Sequence, residues 1–145
     1  MGDDETRTDK LKVWFEEDTE FLCVVYPAGR LEGETARELM EKLIPYQVGR
    51  GKEPSFILVD ARHLTGISPE ARKAFGEARF SDARGLSYIA TFGGSFAFRA
   101  LANLVIKALM LVSKQMVLTL EVDEAAARAW LAEHRRNYFA GKAKT

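Results

Sequence analysis

Asp60, His63, Thr65 and Ser68 stand close together in the stretch from Phe56 to Phe75, FILVDARHLTGISPEARKAF. A carboxylate three positions before an imidazole has the makings of a general acid/base pair. A hydroxyl at a helix N-terminus can accept a phosphate, because exposed N–H groups and the helix dipole favour negative charge there. Acid/base catalysis would further need a nucleophile or metal within hydrogen-bond reach, and only Thr65 and Ser68 are nearby. The plainer reading has Asp60 bonding loop N–H groups, His63 facing solvent, and Ser68 capping a helix that opens at Pro69-Glu70. An enzyme would require a pocket that joins Asp60, His63 and Ser68. The sequence does not call for one.

Other reactive groups are scattered. His134 falls in the last turns of a C-terminal helix, where a cation suits the dipole. Cys23 lies in an apolar strand and reads as an inert core thiol. Two histidines and one cysteine on different elements give no metal-ligand spacing, so neither metal nor cofactor is expected. Gly93-Gly94-Ser95 precedes a helix but lacks the length and lysine of a phosphate-binding loop, leaving a strand-to-helix turn as the default.

The elements that position these groups follow from periodicity. Leu11 to Phe15 alternates as a short strand, and Phe21 to Tyr26 is apolar throughout, as in a strand covered on both faces. Pro27, Ala28 and Gly29 end or bend it. A helix is predicted from about Gly33 to Ile44, with Ala36, Leu39, Met40 and Leu43 on one stripe and Pro45 marking its exit. Ser55 to Val59 is the next strand, and the helix after it starts near Ser68. Leu86 to Phe92 is a fourth strand, followed by a helix from Ser95 to about Val112. Gln115 to Val122 is a fifth, and Asp123 caps a last helix ending near Asn137. The order β-β-α-β-α-β-α-β-α predicts a single α/β domain with a five-stranded mixed sheet and about four helices. That domain spans 11–137, between a disordered tail at 1–10 and a basic tail at 138–145.

Composition narrows the function classes. The chain has 145 residues, 21 basic and 21 acidic, so its formal net charge is zero. Zero net charge disfavours a nucleic-acid binder that depends on attraction to phosphates. No run approaches the roughly 18 apolar residues of a membrane span, and no apolar segment follows the acidic N-terminus as a secretory signal would. A lone cysteine fits a reducing compartment, so a cytoplasmic protein is expected.

The Ser95–Val112 helix carries more apolar surface than a core-facing stripe needs. Arg99, Asn103 and Lys107 form its one narrow polar stripe. Phe96, Phe98, Leu101, Val105 and Leu109 are free to serve a fuller core, a homodimer or partner interface, or the wall of a cavity for an apolar ligand.

Three local patterns resemble the STAS domain, and especially its SpoIIAA-like (anti-sigma-factor-antagonist-like) branch. They are Gly29-Arg30-Leu31 ahead of the first helix, the strand Phe56–Asp60, and the ending DEAAARAWL at Asp123–Leu131. The resemblance implies a non-enzymatic interaction module in bacterial signalling. Its partner would be a regulatory kinase, an anti-sigma factor or a signalling complex. It would dock through Arg62, His63, Thr65, Ser68, Pro69 and Glu70 together with Phe96 and Arg99. STAS antagonists carry an Asp-Ser pair at this loop–helix junction, whereas this chain reads Ile67-Ser68-Pro69-Glu70. Ser68 and Thr65 are therefore the phospho-acceptor candidates. Likeness of SpoIIAA-like topology to lipid-exchange domains implies an alternative, a small hydrophobic-ligand or lipid-binding protein. Its sign would be a continuous apolar cavity of roughly 300 Å³ or more beneath the Ser95–Val112 helix.

Overall fold

The computed structural model describes the backbone of residues 6–7, 11–16, 22–77, 86–112 and 116–143. Side chains are described for all of these except 6–7, 75–77, 96, 101, 105, 108–112 and 142–143. Seven strands and four helices follow in the order β1 (Thr6–Arg7), β2 (Leu11–Glu16), β3 (Leu22–Leu31), α1 (Gly33–Gly49), β4 (Ser55–Asp60), β5 (His63–Ile67), α2 (Pro69–Glu77), β6 (Ser87–Phe92), α3 (Phe96–Val112), β7 (Met116–Glu121) and α4 (Glu124–Ala143). The sheet runs β1-β2-β3-β4-β6-β7, with β5 off this path beside β3. The β1–β2 and β2–β3 pairs are antiparallel, and the β3–β4, β4–β6 and β6–β7 pairs are parallel. The predicted mixed α/β sheet is therefore present, with two strands more than expected.

Side-chain alternation explains how the layers assemble. Cys23, Val25 and Ile57 point to one face and pack with Leu39, Met40, Leu43 and Tyr46 of α1. Leu22, Val24, Phe56 and Leu58 point to the other face and pack with Ala127 and Leu131 of α4. A period of two divides these near-continuous apolar strands between two cores. A third cluster joins Leu31, Ala61 and Leu64 to Ala36, Ala71, Ala74 and Phe98, and so seats α2 and the start of α3.

Four sequence expectations are corrected. Residues 63–67, read as loop, form β5, because β3 continues past a bulge at Gly29/Arg30 and pairs with it in parallel. Helix α1 runs through exposed Pro45 to Gly49 instead of stopping at Ile44. Tertiary bonds outweigh the lost N–H of Pro45: Phe56 N–H donates to Tyr46 Oη at 3.2 Å, and Gln47 Nε2 donates to Ser87 Oγ at 2.8 Å. Helix α4 continues to Ala143, so 138–143 extend the helix. In the segment expected to be a disordered tail, Thr6–Arg7 pair with β2, and the rest of 1–10 lies outside the described residues.

Candidate functional site: the β4–α2 segment and two concavities

Local chemistry fixes the stretch after β4. Asp60, 6% exposed, accepts hydrogen bonds from the backbone N–H of Arg62 at 3.1 Å and from its guanidinium at 2.7–3.2 Å. Ala61 N–H donates to Phe92 O at 2.9 Å, and the Arg62 guanidinium lies 5.5 Å from the Phe92 ring centroid. Hydrogen bonding to the Asp60 carboxylate raises the Arg62 pKa above its ordinary value. Next come exposed His63 and Thr65 on β5, with Leu64 between them turned into the third core cluster. Pro69 and Glu70 are exposed at the start of α2.

Ser68 behaves differently from its neighbours. It is 1% exposed, its N–H donates to Leu31 O at 2.9 Å, and its Oγ accepts from Ala71 N–H at 3.0 Å. This is an N-cap turned into the core, and the hydroxyl is not presented to a kinase. Ser95 and Asp123 cap α3 and α4 in the same way, through Phe98 N–H at 3.1 Å and Ala126 N–H at 2.8 Å.

The segment thus brings together Arg62, His63, Thr65, Pro69 and Glu70 on one exposed strand–turn–helix unit. Arg99 is elsewhere: half-buried, it lines a separate groove with Ala100, Asn103 and Leu120. The side chains of Phe96, Leu101, Val105 and Leu109 lie outside the described residues. Asp60, His63 and Ser68 are held by different partners: Asp60 by Arg62, Ser68 by Ala71, and the His63 ring by Tyr26, 5.5 Å between centroids. Among the described residues no three His, Cys, Asp or Glu gather as metal ligands. Burial pushes the Cys23 thiol up to about 12, which holds it protonated and unreactive.

Besides that groove, two further concavities flank the sheet among the described residues. On the α1/α3 face, an apolar cavity of about 200 Å³ is walled by Leu43, Ile57, Ile89, Phe98, Ala102 and Ile106. On the α4 face, a cleft of about 280 Å³ is bordered by Lys12 and Trp14 of β2, Tyr26 of β3, Arg62, Phe92, and Arg128 of α4. Sequence reading missed this cleft. Its only local signals are the alternation that puts Lys12 and Trp14 on one face of β2, and the Glu124–Arg128 spacing of four. Arg128 pins the cleft's far wall: its two Nη atoms each donate to Glu16 at 2.9 Å, and its Nε donates to Glu124 at 2.8 Å. Hydrogen bonding from Arg128 holds the Glu16 carboxyl below its ordinary value of 4.5, against the opposing effect of burial.

A family model described as SpoIIAA-like matches residues 22–132, from the start of β3 into α4. The chain belongs to the SpoIIAA-like family. No curated protein matches it. Among solved structures, it is similar to an uncharacterized DUF3478-family protein with a SpoIIAA-like fold from Shewanella loihica PV-4. Identity is 18% and the TM-score 0.62, over 87% of this chain and 97% of that one. At that identity the likeness concerns fold alone. Within the described residues, no helix of this SpoIIAA-like domain is long and apolar enough to cross a membrane.

Proposed function

We propose that this SpoIIAA-like domain is a non-enzymatic protein-protein interaction module of bacterial signalling, acting in the cytoplasm and docking a regulatory partner. The partner is a kinase, an anti-sigma factor or a signalling complex. The observation that carries this reading is the presentation of Arg62, His63, Thr65, Pro69 and Glu70 as side chains on a backbone held by β3. A docking surface with prearranged side chains loses little freedom on binding. Engagement of the Asp60 carboxylate and the Ser68 hydroxyl in structural bonds leaves no reacting pair there, which supports binding over catalysis. Phosphorylation, if it tunes the surface, falls on exposed Thr65. A phosphate there would place negative charge close to Arg62 and His63.

Affinity purification of the tagged chain from its native cells tests the reading, with wild type compared against Arg62→Ala and Thr65→Glu. One specific regulatory protein recovered with wild type and reduced at least about fivefold in both variants is the expected result; fivefold corresponds to roughly 1 kcal/mol of binding energy. Equal recovery in all three, or recovery only of further copies of this chain, removes the surface from consideration.

The apolar cavity supports a second reading, binding of a small apolar molecule. Its 200 Å³ falls below the roughly 300 Å³ set for a lipid-sized ligand, but a dry apolar cavity of about 150 Å³ can hold benzene. Saturating toluene should then raise the thermal midpoint of the wild type and leave Ala102→Phe, which fills the space, unmoved. An unchanged wild-type midpoint rejects this reading.

A further inference from the structure

The cleft on the α4 face lies apart from the apolar cavity and beyond the docking reading, sharing only Arg62 with the docking surface. Helix α4 packs chiefly on β4, β6 and β7, and the cleft opens beside it over Lys12, Trp14 and Tyr26 of β2 and β3. The register makes Lys12 the cross-strand neighbour of Tyr26, and Trp14 that of Val24. Three aromatic side chains, Trp14, Tyr26 and Phe92, therefore stand around a concavity of about 280 Å³.

The charges at its mouth are unevenly satisfied. Asp60 is held by Arg62, and Glu124 and Glu16 are held by Arg128, so each nearby carboxylate already has a cation. Arg128 in turn has its Nε and both Nη atoms engaged. Arg62 uses Nε and Nη2 on Asp60, leaving Nη1 without a partner among the described residues, while the side chain is 56% exposed. The Lys12 ammonium meets no carboxylate among the described residues and lies 5.4 Å from the Tyr26 ring centroid. Unused cationic donors therefore stand beside aromatic surface, in a cleft whose acids are neutralised. Anions are drawn to the donors, and flat rings to the aromatic walls.

We propose that this cleft binds a small aromatic anion, a single ring bearing a carboxylate or phosphate. The anionic group is held by Lys12 and the free edge of Arg62, and the ring lies against Trp14 and Tyr26, above buried Phe92. The bidentate Asp60–Arg62 pair fixes one donor before the ligand arrives. Small-molecule sites share this plan of apolar walls with a few placed polar groups.

Titration of the full chain with phenyl phosphate, benzoate, benzyl alcohol and inorganic phosphate tests the proposal. It is followed by backbone amide NMR shifts and by Trp14 fluorescence in a Trp130→Phe background. Saturable binding of phenyl phosphate or benzoate, on the order of millimolar or tighter, is expected, with shifts centred on Lys12, Tyr26 and Phe92. The stronger of the two identifies the anionic group. Benzyl alcohol and inorganic phosphate should each bind at least about tenfold more weakly, because each lacks half of the recognition. Lys12→Met should weaken the aromatic anion by about tenfold, and Lys12→Arg should restore most of that loss. The proposal is overturned by absent or displaced shifts, by benzyl alcohol or inorganic phosphate binding equally well, or by undiminished binding in Lys12→Met.

Discussion

Replacing Phe56 with alanine is expected to cost the domain about 3–5 kcal/mol, a large share of the 5–15 kcal/mol typical of a domain this size. Phe56 is 1% exposed in the central strand β4, packed between Leu22, Val24, Ala90, Phe92 and Leu131. Its ring stacks on that of Tyr88, with centroids 5.6 Å apart and planes inclined by 11°. Strands on either side hold the surrounding backbone, so the space left by the ring cannot close by local collapse. The loss is the transfer energy of the ring plus the cavity left behind. Chemical denaturation should show a lower midpoint with an unchanged slope. Val48→Ala, on a side chain 46% exposed, should change stability by no more than about 0.5 kcal/mol and serves as the control. A loss below about 1 kcal/mol for Phe56→Ala would mean that the two helical layers do not depend on this sheet as described.

Gly93→Ala carries the second largest expected effect and reaches the proposed surface as well as the fold. Gly93 follows β6 with φ +84°, and a Cβ built there would stand 2.6 Å from Arg62 Cγ and 3.0 Å from the Arg62 backbone. Left-handed strain costs about 1–3 kcal/mol for an L side chain, and overpacking typically adds about 1–3 kcal/mol. Together they predict a loss of about 2–6 kcal/mol. Relief of the contact requires movement of Arg62, whose guanidinium is locked on Asp60, so partner recovery should fall along with stability. Gly49→Ala is the opposite case: nothing lies within 4 Å of its Cβ position at the end of α1. That change should be neutral or stabilise by up to about 1 kcal/mol. If denaturation midpoints show Gly93→Ala as mild as Gly49→Ala, the close approach of the β6–α3 turn to Arg62 is wrong.

Much of this architecture was readable residue by residue. The caps at Ser68, Ser95 and Asp123 need only a side-chain oxygen and an N–H three positions onward, a relation carried wholly within the local chain. The apolar run Phe21–Tyr26 marked a strand covered on both faces, and two separate cores now account for the covering of its Leu22–Val25 part. Alternation of strands and helices also sufficed for a mixed sheet. The end of α1 was misread because Pro45 is a local stop signal, while Tyr46 and Gln47 are held by β4 and β6. Strand β5 was missed because its weak pattern, HLTGI, acquires meaning only against the bent half of β3.

From its sequence alone, this protein is determined as an α/β domain of SpoIIAA-like order, with helices starting at Ser68, Ser95 and Asp123. Those features depend on periodicity and on bonds spanning a few residues. Tertiary structure decided that Ser68 faces inward while Thr65 faces out, because a buried cap is set by the packing of α2 on β3 and α1. It also decided the α4-face cleft, whose wall depends on Arg128 reaching Glu16 across 112 positions of chain. No local pattern encodes such a pair: its energy exists only after the sheet has brought β2 beneath α4.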